Sequence, residues 1–183
     1  KAGGYLSNFQ AEVILFKLLF RAANPLSQAV KGNKMTFQLD PRLQKDCCQL
    51  AESEHSLWLL LNNSYFPWFI VVPKTQCCEL YQLTETQQAQ LQRETNLLSE
   101  FISSHFPCDK LNVASIGNIV KQMHLHIIAR SESDPCWPGV VWGTECHLDY
   151  QISQVRQIQA QLQLFCEERE INGLRFVPLN KSI

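Results

Sequence analysis

The sequence predicts an α+β fold: an antiparallel sheet of about five strands, with one long helix between two hairpins and a further helix near the C-terminus. Three observations predict it. Two short apolar runs, Leu57–Leu61 and Phe69–Val72, flank a cluster of turn residues. A capped stripe of helical period follows them, and a second pair of strand-like runs follows that stripe. Strands that succeed one another through turns, rather than through helices, exclude a doubly wound parallel sheet.

The elements follow in order. Residues 1–34 carry a net charge of +4 and the remainder −5, so the chain divides near Met35. The apolar stretch Val13–Phe20 is broken by Lys17, which spoils it as the core of a signal peptide. A transit-like or membrane-surface leader, a cloning remnant, and an extension translated ahead of Met35 all account for it. The last two are favoured, because the domain pattern begins only after Met35, and residues 1–34 are set aside as an N-terminal extension. Residues 35–150 form the domain, and residues 151–183 a helix and tail packed on it. Within the domain, Asn62–Pro67 is the turn between the first two strands. Thr84-Glu85-Thr86-Gln87 has the form of a capping box. Behind it Leu83, Leu91, Leu98, Phe101, Ile102 and Phe106 fall on one helical stripe that stops at Pro107. Lys110–Ile116 and Gln122–Ala129 read as strands joined by Gly117–Lys121. Ile152, Val155, Ile158, Leu162 and Phe165 recur at helical spacing, in a helix that ends before Gly173.

Composition removes several functions. With a net charge of −1, the chain has no bulk electrostatic basis for binding nucleic acid or an anionic membrane. Its longest apolar runs are far too short to cross a bilayer. Of the eight cysteines, Cys47-Cys48 and Cys77-Cys78 are adjacent in sequence. Neighbouring Cα atoms lie about 3.8 Å apart, less than a disulfide accepts. No C-x-x-C is present, so free thiols and a reducing, cytoplasmic location are expected.

One segment has the geometry of a reactive site: Gln122-Met123-His124-Leu125-His126-Ile127-Ile128. In an extended strand Gln122, His124 and His126 share one face at intervals of about 6.6–6.8 Å, while Met123, Leu125 and Ile127 face the core. Rigid placement of two imidazoles suits phosphoryl chemistry, where positioning supplies most of the catalysis. A neutral imidazole offers one bare nitrogen for attack, and a backbone carbonyl on the other would fix that tautomer. Attack on phosphorus would place a phosphoramidate on His124 for water to cleave, and His126 could hold phosphoryl oxygens or protonate the leaving group. Gln122 can exchange hydrogen bonds but not protons. Two other readings stay open on the residues alone. The row can be a half-exposed polar face, or half of a metal site completed by His55, His105, His147 or a distant Cys.

Gly117-Asn118-Ile119-Val120-Lys121 followed by Gln122-Met123-His124-Leu125-His126-Ile127-Ile128 resembles the signature of the histidine triad (HIT) superfamily. Leu59–Asn63 with Tyr65–Lys74 resembles that superfamily's ribose-side strand pair. Asp134-Pro135-Cys136-Trp137-Pro138-Gly139 through Trp142-Gly143 resembles bacterial HIT proteins carrying Gln-x-His-x-His. The resemblance implies a HIT-like nucleotide-binding fold, commonly homodimeric, whose members are hydrolases and transferases acting on the α-phosphate of nucleotides. It implies that His124 is the nucleophile that becomes nucleotidylated and that His126 contacts the phosphoryl group. Asn118 and Asn112 would contact phosphate, and Asn63 or Asn62 the ribose hydroxyls, in a pocket sized for a nucleoside monophosphate. No metal or other cofactor is required by that chemistry, although a divalent cation can accompany a polyphosphate substrate.

The departures from the pattern are Gln122 in place of the first histidine, Trp68 where a histidine is often found, and Ile119 where a hydroxyl residue is common. They leave two functional readings. One is a phosphohydrolase or nucleotidyl transferase acting on nucleoside phosphoramidates or dinucleoside polyphosphates. The other is a nucleotide-binding module without useful turnover.

Overall fold

In the computed structural model, which describes residues 37–179, the first element begins at a capped proline. The Asp40 carboxylate accepts from the N–H of Arg42, and Pro41 stands in the first turn, so a short helix α1 (Pro41–Asp46) starts there. The readings made for residues 1–34 and for the end of the tail, 180–183, lie outside the described residues.

Three strands follow as an antiparallel meander: β1 (Cys47–Glu52), β2 (Ser56–Leu61) and β3 (Trp68–Pro73). Helix α2 (Glu85–His105) then carries the chain to β4 (Lys110–Ala114) and β5 (Leu125–Arg130). Helix α3 (Ile152–Glu168) returns it to β6 (Arg175–Phe176) at the far edge. The strand order is β4-β5-β3-β2-β1-β6, and every neighbouring pair is antiparallel. The fold is α+β, as the sequence predicts.

The helix boundaries follow the sequence signals. Thr84 caps α2: its hydroxyl accepts from the Gln87 N–H, and the Gln87 side chain accepts from the Thr84 N–H. The last turn closes on Phe106, directly before Pro107. After α3 the chain turns through Gly173 at φ +84°, a left-handed conformation that favours glycine.

The strands differ from expectation in two respects. There are six, because Cys47–Glu52 and Arg175–Phe176 pair at one side of the sheet. The first lacks alternation and carries a register shift between Gln49 and Ala51, and the second is only two residues long, so neither gives a period-two signal. The second difference bears on the site: β5 begins at Leu125, not at Gln122, and β4 ends at Ala114.

Pairing fixes which residues share a face. Phe69, Val71, Trp58, Leu60, Ile127 and Ala129 pack beneath α2 and α3, against Leu98, Phe101, Ile102, Val155, Leu162 and Phe165. Each fully buried large side chain of this layer contributes about 1.5–3 kcal/mol of apolar burial. The opposite face carries Leu59, Trp68, Ile70, His126 and Ile128. A second apolar cluster covers it, in which Leu43 of α1, Val120 and Val141 meet Leu57, Phe66 and Val72. Both histidines of interest therefore lie on or beside the face that the long helices leave open.

Candidate active site

His124 sits one residue before β5 and His126 inside it, paired between Ile70 of β3 and Ala114 of β4. Met123 and Ile127 are buried in the helix-covered core, as the alternation requires. The two imidazole rings stand with centroids 4.7 Å apart and planes at 79°. They are 4 % and 7 % exposed, so both are nearly enclosed.

Each ring has a defined hydrogen-bond state. Nδ1 of His124 lies 2.6 Å from the backbone oxygen of Gln122, an acceptor only, so Nδ1 carries the proton and donates it. Nε2 of His124 is the nitrogen left bare in the neutral ring, and it bonds no described residue. His126 is held the opposite way. The indole N–H of Trp68 donates to its Nδ1 at 2.9 Å, which places the His126 proton on Nε2. Burial, and next the neighbouring His124, lower the His126 pKa to about 4, against a smaller upward pull from the Ile116 carbonyl. This imidazole is neutral at physiological pH.

Trp142 completes the cluster from the loop after β5. Its ring stands edge-on to Trp68 at 5.5 Å and to His126 at 5.6 Å. Its Nε1–H is buried and has no partner among the described residues. Two cavities lie away from the imidazoles. A cavity of about 790 Å³ lies between the start of β3, the end of α2 and α3, and one of about 400 Å³ lies beside Glu94, Lys74 and Thr84. Neither is lined by His124 or His126. The rings of Trp68 and Trp142 pack edge-on against His126.

Gln122 does not join the row. Because the strand starts later, its side chain turns to the segment before α1, accepting from the Asp40 N–H and donating to the Gln38 oxygen, each at 2.9 Å. The ribose-side asparagines are also occupied. Asn63 donates to the Cys146 oxygen and accepts from the N–H groups of Tyr65 and Leu148. Asn62 donates to Asp149 and accepts from the Tyr150 N–H. The two amides fasten the 146–150 segment to the β2–β3 turn.

Asn112 lies on the His126 side of the sheet, opposite Ile128. Its oxygen accepts from Arg130, which leaves its amino group without a bond to any described residue. Asn118 is exposed in the β4–β5 connection, and its side chain makes no bond to a described residue.

Sequence reasoning missed an ion pair. Arg130 and Asp134 form two parallel bonds of 2.7 and 2.9 Å, with side chains only 2 % and 7 % exposed. Burial works against the Asp134 carboxylate. The bonds from Arg130 and from the N–H groups of Cys136 and Ser131 outweigh it and hold its pKa low. The available signal was an arginine at a strand end with an aspartate four residues on.

The metal reading finds no ligand set among the described residues: no group of three or more His, Cys, Asp or Glu side chains converges there. His147 instead pairs with Asp149, and His105 bonds Ser104 and the Phe101 oxygen. All eight cysteines are free. No helix of the described residues is long and apolar enough to cross a membrane.

Comparison with known proteins agrees with this architecture. The HIT domain family matches residues 42–133, half of the chain. A histidine triad protein from Marinobacter aquaeolei VT8 is 42 % identical and superposes with a TM-score of 0.69, covering 73 % of this chain and 98 % of that one. A histidine triad (HIT) protein from Sinorhizobium meliloti 1021 is 35 % identical at a TM-score of 0.69, over 72 % and 98 % of the two chains. One from Bradyrhizobium japonicum is 35 % identical at 0.68, over 70 % and 97 %. No curated protein matches the sequence. With half its length matched by the family, and relatives this similar aligned over more than two thirds of it, the chain belongs to the histidine triad (HIT) family.

Proposed function

We propose that the protein is a nucleotide phosphohydrolase or nucleotidyl transferase in which Nε2 of His124 attacks the α-phosphorus of a nucleotide. The observation that carries this reading is the 2.6 Å bond from His124 Nδ1 to the Gln122 oxygen, which aims an unprotonated nitrogen away from the backbone. As the Nε2–P bond forms, the leaving group departs with its electron pair, giving a nucleotidyl-histidine. Water then attacks the same phosphorus, the P–N bond breaks, and the pair returns to Nε2. The Gln122 carbonyl stabilises the positive charge that His124 carries while bonded to phosphorus.

His126 would turn its Nε2–H from the Ile116 carbonyl to the phosphoryl oxygens, and Asn112 and Asn118 present amide groups to the same charge. Asn62 and Asn63 would reach a ribose only by giving up bonds to the 146–150 segment, so nucleotide entry includes displacement of that segment and of Trp142. The substrates are nucleoside phosphoramidates or dinucleoside polyphosphates, with no metal required and a divalent cation accompanying only a polyphosphate. A homodimer in the cytoplasm, without nucleic-acid or membrane partners, completes the reading, and the free thiols fit a reducing compartment.

A non-catalytic nucleotide-binding module is the second reading. It is favoured by the neutral His126 and by the engagement of Gln122 elsewhere. Phosphorus NMR of adenosine phosphoramidate and diadenosine polyphosphate, with equilibrium binding of adenosine monophosphate, separates the two. Turnover that His124→Asn abolishes while binding persists supports the enzyme. Binding without turnover supports the module, and absence of both refutes either.

A further inference from the structure

Trp68 and His126 are joined by a bond that only one imidazole tautomer permits. An indole N–H is a donor and never an acceptor, so the His126 nitrogen it meets at 2.9 Å must be bare. Protonating that nitrogen would set two N–H groups against each other inside a cluster that is almost closed to water. Trp68 is 6 % exposed and lies edge-on to His126 at 5.5 Å, while Trp142 lies edge-on to both rings. The other side chains nearby cannot supply the missing proton. Gln122 is an amide bound to residues 38 and 40, and the Nδ1 proton of His124 is held by the Gln122 carbonyl. Arg130 is tied to Asp134 and Asn112.

We propose that Trp68 is a positioning residue that fixes His126 as a neutral Nε2–H hydrogen-bond donor, so that the site holds phosphoryl oxygens but delivers no proton to the leaving group. Resting on the reading of His124 as nucleophile, the proposal selects the substrate class by leaving-group acidity. When His124 Nε2 bonds to phosphorus and a P–O anhydride bond breaks, the electron pair leaves on a phosphate oxygen that is stable as an anion. When a P–N bond breaks instead, the pair leaves on nitrogen, and an amine departs only if a proton joins it. Nucleoside phosphoanhydrides are therefore preferred over phosphoramidates, and among aryl esters of a nucleoside monophosphate the rate falls steeply as the phenol becomes less acidic. General acid catalysis is worth roughly 100- to 10,000-fold, which sets the scale of the discrimination.

Two measurements test it. Nitrogen-15 NMR of the histidine-labelled wild-type protein reports each ring nitrogen directly. A bare Nδ1 and a protonated Nε2 on His126 are expected near neutral pH, with loss of that fixed pattern in Trp68→Phe. A protonated Nδ1 in the wild type, or an unchanged pattern in a folded Trp68→Phe, overturns the positioning role. If Trp68→Phe does not fold, a coupling across the hydrogen bond between the nitrogen-15-labelled Trp68 indole N–H and His126 Nδ1 decides it in the wild type: its presence supports the role and its absence overturns it. The second measurement is kcat/KM across graded aryl esters of adenosine monophosphate, diadenosine polyphosphate and adenosine phosphoramidate. A steep dependence on leaving-group acidity is expected, with a roughly tenfold rise of the phosphoramidate-to-anhydride ratio in Trp68→Phe. A flat dependence in the wild type, or an unchanged ratio in an active variant, overturns the selectivity. Failure of the wild type to turn over any member sinks the His124 reading and the selectivity with it, while the NMR pattern still decides what Trp68 does to His126.

Discussion

Removing the titration of His126 with His126→Gln tests its environment against a definite magnitude. The ring is buried and its pKa falls from 6.5 to about 4 on folding, first through desolvation and then through His124. The folded protein keeps this imidazole neutral, whereas the unfolded chain takes up a proton as pH drops through 6.5. Stability contributed by the neutral ring is therefore full above pH 6.5, declines as pH falls towards 4, and changes no further below that. At 1.36 kcal/mol per pH unit, the span from 6.5 to about 4 corresponds to about 3 kcal/mol. Between pH of about 7.5 and about 4.5, roughly 2–3 kcal/mol of it is lost. Guanidinium unfolding of wild type and His126→Gln at both pH values isolates the contribution of this ring. Carboxylates such as Asp134 lose stability in acid in both proteins and cancel in the difference. The Gln side chain retains an oxygen that can accept from the Trp68 indole. The wild type is expected to lose about 2–3 kcal/mol more than the variant on acidification. Equal losses in the two proteins would refute the claim that His126 is neutral because it is buried.

Three further outcomes follow from other contacts. Asp134→Ala leaves the buried Arg130 guanidinium unpaired and is expected to lower stability by about 3–5 kcal/mol in denaturant melts, where a loss under about 1 kcal/mol would contradict a buried pair. Gln122→Ala removes both bonds to the 38–40 segment, with a cost of about 1–2 kcal/mol and faster amide hydrogen exchange at Asp40; unchanged exchange would show that the segment is held by something else. Asn63→Ala strips the bonds to Tyr65, Cys146 and Leu148, and faster exchange at the Leu148 amide, with about 1–3 kcal/mol lost, is the expected result.

The fold was largely legible because its signals are local and periodic. The capping box at Thr84, the stripe ending at Phe101 and Ile102, and the apolar runs of β2 and β3 each state their own structure in sequence. β1 and β6 were not legible, since an irregular register and a two-residue pairing exist only once neighbours are in place. Part of the site geometry follows the same division. Alternation along Leu125–Ile128 separates His126 from Ile127, a local property. Where the side chains of Gln122, Asn62 and Asn63 spend their hydrogen bonds depends on segments about 80 residues away, beyond the reach of any spacing rule. Trp68 is the instructive case. Sequence marks it as a departure from the family pattern, whereas the structure adds the bond through which it holds the neighbouring imidazole in one tautomer.

The central claim is a covalent bond between His124 Nε2 and phosphorus. Mixing the protein with diadenosine polyphosphate or adenosine phosphoramidate, quenching in base to preserve the P–N bond, and mapping peptides by mass tests it directly. The expected result is one adenylyl group on the peptide carrying His124, formed no more slowly than product and absent in His124→Asn. Product release at undiminished rate with no adduct on that peptide, or in the His124→Asn protein, would contradict it.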